Sequence, residues 1–284
     1  PWIRSLNLDF LRFAVGFDSP NWHPLTWTVH ALEYAAWGLN PAGHHAMSIL
    51  LHAMNTMLLF FVVLKLIASR ERVGDSSFPL MMAGATSLLF GIHPTHVESV
   101  AWASGKKDLL CTFFVLATVY TYARYAERVK SFAGKTRGMA DSWYLASVGS
   151  YSLALLSKPS AVTLPFILLM LDWYPFERWR TGSNTARLFI EKIPFAVLSL
   201  AASAVTYFAH AVIGDITSLA HVDLVTRLLV SAKAAVFYIV QLLWPVGLLP
   251  FYPYPEKAHI LMPSYLLSVA ALALIVAGCF IYRK

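Results

Sequence analysis

Apolar runs of near membrane length recur along almost the whole chain. They cover about 44–67, 79–92, 107–126, 142–157, 160–175, 188–211, 223–245 and 263–282. Runs of this kind, with few charges inside them, predict helices that cross a bilayer. The first carries His44, Ser48, His52 and Asn55 at helical spacing. That stripe should face the bundle interior or a wet cavity, because hydrocarbon does not solvate it. The second is rich in small residues (Ala83, Gly84, Ala85, Ser87, Gly91), which permit close helix contact. The fourth and fifth are short and are split by Ser157-Lys158-Pro159-Ser160.

The N-terminal part reads differently. Residues 1–22 mix polar and apolar positions and form an interfacial or external segment. Residues 23–38 predict a helix too short and too polar to span. Leu25, Val29, Leu32 and Ala36 make its apolar stripe, and Thr26, His30, Glu33 and Trp37 a neighbouring polar one. Such a helix lies in the membrane interface. The expected architecture is an all-α polytopic transmembrane helical bundle, with about eight spans plus an interfacial helix, in one domain over 1–284. The chain starts at Pro1 and stops at Tyr282-Arg283-Lys284, directly after an apolar run, so both ends read as cuts in a longer protein.

Composition agrees. The chain is 58% hydrophobic and 13% charged, against about 25% charged in soluble domains. Its net charge of +7 fits cytoplasmic loops facing anionic lipid, and no basic stripe interleaved with aromatics suggests nucleic acid. Cys111 and Cys279 fall inside apolar helices and read as small hydrophobes.

Charge also orients the spans. Lys65, Arg70 and Arg72, then Arg124, Arg128, Lys130, Lys135 and Arg137, then Arg178, Arg180 and Arg187 mark three cytoplasmic loops. Segments 1–43, 93–106, 157–160 and 212–222 then face outward. Strict alternation would leave Arg283 and Lys284 outside, and a re-entrant or surface helix within 212–235 would restore the rule. The chemically suggestive groups of Asp18–Asn40, His93–Lys107 and Lys158 thus converge on one outer side.

The loop Ile92-His93-Pro94-Thr95-His96-Val97-Glu98-Ser99 places two imidazoles and a carboxylate at a bilayer edge, where polar groups are costly and mark sites. His93, His96 and Glu98 are metal-ligand types at close spacing, so a divalent cation is one candidate ligand. Alternatively, Glu98 deprotonates a hydroxyl while His96 shares the proton. The structural alternative is a helix end at His93-Pro94 with Glu98 capping the next helix. Lys106 and Lys107 open a span at headgroup level and can bind a lipid phosphate or simply snorkel. Lys158 sits in a helix break that exposes charge to a cavity, which favours phosphate or substrate contact. His23, His30 and Glu33 read as polar-face residues, and Asp172 as a helix terminator.

Several segments together resemble a known family. They are Asn21-Trp22-His23-Pro24-Leu25-Thr26-Trp27, Gly38-Leu39-Asn40-Pro41-Ala42-Gly43-His44-His45, Leu50-Leu51-His52-Ala53-Met54-Asn55, His93-Pro94-Thr95-His96-Val97-Glu98-Ser99-Val100-Ala101-Trp102 and Leu156-Ser157-Lys158-Pro159. In this order and spacing they resemble the membrane domain of bacterial relatives of the transmembrane O-mannosyltransferases with C-terminal tetratricopeptide repeats, in the GT-C superfamily. The resemblance implies a GT-C-like fold and a polyprenyl-phosphate sugar as donor. It also implies a protein or glycan acceptor and an active site on the outer face, which in a bacterial inner membrane is the periplasm. It implies an acid in the first external loop as well. Asp18 and Asp9 are the acids of that loop here; Asp18 is the candidate, and neither sits in the family's acidic pair followed by aromatics. A span before Pro1 and a repeat domain after Lys284 are the segments the resemblance implies beyond this chain. The expected roles are Glu98, His96 and Asp18 in catalysis, and Lys106, Lys107 and Lys158 on the donor phosphate. His93, His96 and Glu98 are the metal candidates. The rival readings are a membrane scaffold and a lipid-linked sugar transporter, for polysaccharide export or pilus assembly.

Overall fold

The computed structural model describes residues 2–4, 6–17, 22–69, 77–131, 138–179, 185–214, 223–249, 252, 255 and 262–281. Among them every regular element is helical. The chain divides into two compact units, Pro1–Asp215 and Ile216–Lys284.

The first unit holds ten α-helices among its described residues: α1 Leu8–Val15, α2 Pro24–Trp37, α3 Pro41–Ala68, α4 Phe78–Ile92, α5 Val97–Ala101, α6 Lys106–Ser131, α7 Ser142–Ser157, α8 Leu164–Trp173, α9 Thr185–Ile190 and α10 Ile193–Ile213. Local chemistry sets their ends. Asn7 and Asn40 cap α1 and α3 by accepting the Phe10 and Ala42 amides, and Asp141 caps α7 through the Trp143 amide. Pro24 and Pro41 sit at first helical positions, where the missing N–H has no consequence. Lys158 has extended backbone and ends α7, and a 3-10 turn over Pro159–Thr163 leads into α8.

The main core lies between α6, α7, α8 and α10. Tyr122, Tyr125, Tyr144, Tyr151, Leu164, Leu168 and Phe195 fill it, and small residues such as Ala123, Ala126, Ala154 and Ala202 let the helices close on one another. Phe10 and Ala14 of α1 pack on Ala31 of α2. In the second unit α11 Leu224–Leu243 and α12 Pro263–Ile281 pack together through Leu229 and Tyr265.

Among the described residues five helices are long and apolar enough to cross a membrane: Pro41–Ala68, Ala103–Lys130, Thr185–Ile213, Leu224–Leu243 and Pro263–Ile281. The chain is a multi-pass helical membrane protein. The expectation of about eight spans is not matched by helix length. α4 and α7 have 15 and 16 residues and α8 has 10, whereas about 20 are needed for a straight crossing. Apolar runs count candidate segments but not where helical hydrogen bonding stops. In the region where a re-entrant or surface helix was expected, α11 runs unbroken from Leu224 to Leu243, and positions 215–222 lie outside the described residues. The polar stripe of α3 faces inward as expected, with Ser48 and Asn55 buried and the Asn55 amide donating to Leu109 O at 2.9 Å.

Candidate functional site

The C-terminal ends of α4 and α7 and the N-terminal ends of α3 and α6 meet at one end of the first unit. α2 lies across them. At its start, the Thr26 hydroxyl donates to Ser157 O at 3.0 Å. Toward its other end, Glu33 reaches Lys106 and, at 3.1 Å, His44 Nδ1. This short strap brings together groups 73 and 131 positions apart in sequence.

Two ion pairs involve the first turn of α6, one at Lys106 and one at Asp108. Lys106 pairs with Glu33, and the side chains are 0% and 3% exposed. The ammonium also donates to His44 O at 3.3 Å, and His44 Nε2 meets Gly38 O at 3.0 Å. Burial alone would raise the Glu33 pKa. Hydrogen bonds from His30, Lys106 and His44 outweigh it and hold the carboxyl down at about 2. The second pair, Lys158 with Asp108, is open, at 33% and 36% exposed. The Lys158 backbone is tied to α6 by the Cys111 thiol, whose sulfur is 3.7 Å from Lys158 O. Lys107 is half-buried and makes no hydrogen bond or ion pair with another described residue. His23 is buried beside this group, with Nδ1 2.9 Å from Trp22 O. Burial, then the charges of Lys107 and Lys158, push its pKa down from 6.5 to about 4, so it is neutral at pH 7.

The His93–Glu98 loop lies at the same end. His93 Nδ1 is hydrogen-bonded to the Thr95 hydroxyl at 2.8 Å. The His96 ring packs on Phe90 at 4.3 Å and on His52 at 5.4 Å between centroids. Burial, then His52 and His93, lower its pKa. Glu98 is exposed in the first turn of α5 and pairs with neither histidine. Gly105 packs on this turn so closely that an added Cβ would lie 2.9 Å from Ser99 Cα and O. Among the described residues no three His, Cys, Asp or Glu side chains come together as metal ligands. His93, His96 and Glu98 therefore do not form a ligand set.

Comparison with known proteins points the same way as the motifs. The chain is similar to protein O-mannosyl-transferases. With TMTC2 of Mus musculus it shares 25% identity over 216 residues, 75% of this chain and 24% of that protein. With TMTC4 of Homo sapiens it shares 29% over 160 residues, 54% of this chain and 21% of the relative. With Tmtc1 of Drosophila melanogaster it shares 35% over 105 residues, 37% and 11% respectively. The chain thus spans about a quarter or less of the length of these relatives. No family model and no solved structure matches it.

Of the residues singled out in the sequence, Lys106, Lys107, Lys158, His93, His96 and Glu98 all lie at this end. Asp18 lies outside the described residues. Lys106 is committed to Glu33, so its ammonium has no open face for a ligand. Glu33 and His23 are not solvated polar-face residues as expected; the strap turns them inward. The one advance signal was that Thr26, His30 and Glu33 share a helical face.

Asp172 is buried rather than only a helix terminator. At the opposite end of the core its carboxylate accepts from Tyr122 OH at 2.8 Å, Arg178 Nη1 at 2.9 Å and Lys192 Nζ at 2.5 Å. Arg178 continues to Glu191 at 2.7 Å, and Tyr125 OH donates to Glu191 at 2.6 Å.

Proposed function

We propose that the chain is the membrane part of a GT-C-type glycosyltransferase. It moves a mannose-like sugar from a polyprenyl-phosphate donor to a hydroxyl of a protein or glycan. The observation that carries this reading is the exposed Glu98 at the same end of the unit as Lys107 and the solvent-accessible Lys158–Asp108 pair. The similarity to protein O-mannosyl-transferases supports the choice of sugar and acceptor. The basic residues Lys65, Arg124, Arg128, Arg178 and Arg187 lie at the other end of the core, which supports a site on the outer, periplasmic face.

In this reading the acceptor hydroxyl oxygen attacks the anomeric carbon. The bond from that carbon to the phosphate oxygen breaks, and the polyprenyl phosphate leaves with the electron pair. Glu98 takes the hydroxyl proton, and the loop carrying His96 holds it in place. A single displacement of this kind needs one base and no covalent intermediate. Lys107 and Lys158 offset the charge that grows on the leaving phosphate. Asp18 is the proposed first-loop acid. No step is routed through a metal, because the candidate ligands do not converge.

The test uses the full-length protein in membranes with radiolabelled polyprenyl-phosphate mannose and other sugar donors, with and without chelator. Label should reach an acceptor with the wild type and fall sharply with Lys158→Ala. Lys158-dependent donor binding without transfer from any donor would favour the transporter reading instead.

A further inference from the structure

The two lysine pairs of α6 differ in a way that assigns them different work. Lys106 is sealed against the Glu33 carboxylate and His44 O, and His30 and His44 close on the same carboxylate. Lys158 reaches its carboxylate at a solvent-accessible position, from a helix break on another element. Beside it, Lys107 has no partner among the described residues. This corner therefore holds two ammonium groups and one carboxylate. His23 stands beside them, its pKa lowered first by burial and then by the charges of Lys107 and Lys158. Two ammonium groups against one carboxylate leave this corner with excess positive charge, which favours an anion.

From this we infer that Asp108 is a resident counter-anion that occupies the lipid-phosphate site. The donor phosphate binds by displacing the Asp108 carboxylate from Lys158, between Lys158 and Lys107 and against His23. The inference rests on the glycosyltransferase reading for the identity of the ligand as a lipid phosphate, and deepens it by naming what the ligand must displace. An open ion pair is worth about 0–1 kcal/mol, so a phosphate making charge-assisted hydrogen bonds can exchange with it. The sealed Lys106–Glu33 pair cannot exchange this way without stranding a buried charge.

The test measures binding of polyprenyl phosphate without sugar, and of inorganic phosphate, to the detergent-solubilised full-length protein. Asp108→Asn, which keeps shape and removes the charge, should tighten lipid-phosphate binding about 3-fold. Lys158→Gln should weaken it about 10-fold or more. In the Lys158→Gln background, Asp108→Asn should have a smaller effect, since there is no pair left to release. Melting temperatures, expected near wild type, separate these effects from misfolding. Inorganic phosphate that binds as tightly as the lipid, with the same response to Asp108→Asn, would keep the exchange and assign it to a soluble anion. Unchanged or weaker lipid-phosphate binding by a folded Asp108→Asn protein overturns the inference. Tighter binding by that variant, in a protein that transfers no sugar, would leave the exchange standing and remove the transferase reading alone.

Discussion

The two ends of the first unit both gather charge, and they treat it in opposite ways. At one end Asp172, Glu191, Arg178 and Lys192 pair with one another, every one of these side chains at most 5% exposed, and the more open Arg187 joins at Glu191. Tyr122 and Tyr125 donate into the same network, and Tyr144 OH reaches Glu191 O at 2.7 Å. At the other end one pair is sealed, one is open, Lys107 has no partner among the described residues and Glu98 faces outward. Buried charge that is fully paired joins α6, α7, α8 and α10 into one body. Charge left open on the same scaffold is available to a ligand. Density of charge alone does not locate a site; the state of its partners does.

The contrast is broken most severely at the saturated end. Asp172→Ala strands Lys192 in the core and leaves Arg178 with Glu191 alone, and unfolding free energy should fall by about 3–5 kcal/mol. Loss of folded protein in detergent, or a large drop in melting temperature, checks this. Lys106→Met strands Glu33 in the same manner, with His30 and His44 left to it, and should cost about 3 kcal/mol. Adding Glu33→Gln should recover part of the loss. Gly105→Ala pushes on Ser99 backbone rather than on a flexible tip, so a cost of about 1–3 kcal/mol is expected. Because the displaced turn carries Glu98, transfer should fall further than stability.

His23 sharpens the comparison through pH. Its pKa is about 4 in the folded protein against 6.5 ordinarily, so the unfolded chain binds more protons between these values. Its contribution to stability is full above about pH 6.5 and is lost as pH falls toward 4. Melting curves over that window should flatten with His23→Gln. The smallest change in stability is expected from Lys158→Gln, at about 1 kcal/mol or less, because its pair is open to solvent.

Local properties were legible in the sequence. The helix positions follow from apolar runs, prolines and caps, and the break at Lys158 from Ser157-Lys158-Pro159-Ser160. So was the gathering of His93–Lys107, the 23–38 helix and Lys158 at one end, since it needs only alternation of spans. Pairing was not legible. Glu33 and Lys106 are 73 residues apart, and Tyr122 and Asp172 are 50 apart. Nothing in either local pattern names its partner. The same gap explains Lys106: three lysines near one membrane surface look alike in sequence, and only packing shows that one is sealed. The number of crossings was not legible, because a short apolar helix and a spanning one have the same composition.

The most direct measurement is the transfer rate of full-length Glu98→Gln protein whose melting temperature matches wild type. A positioned general base contributes about 100-fold or more, so transfer from polyprenyl-phosphate mannose should fall by at least that factor. Undiminished transfer by the folded variant would contradict the assignment of chemistry to the open end.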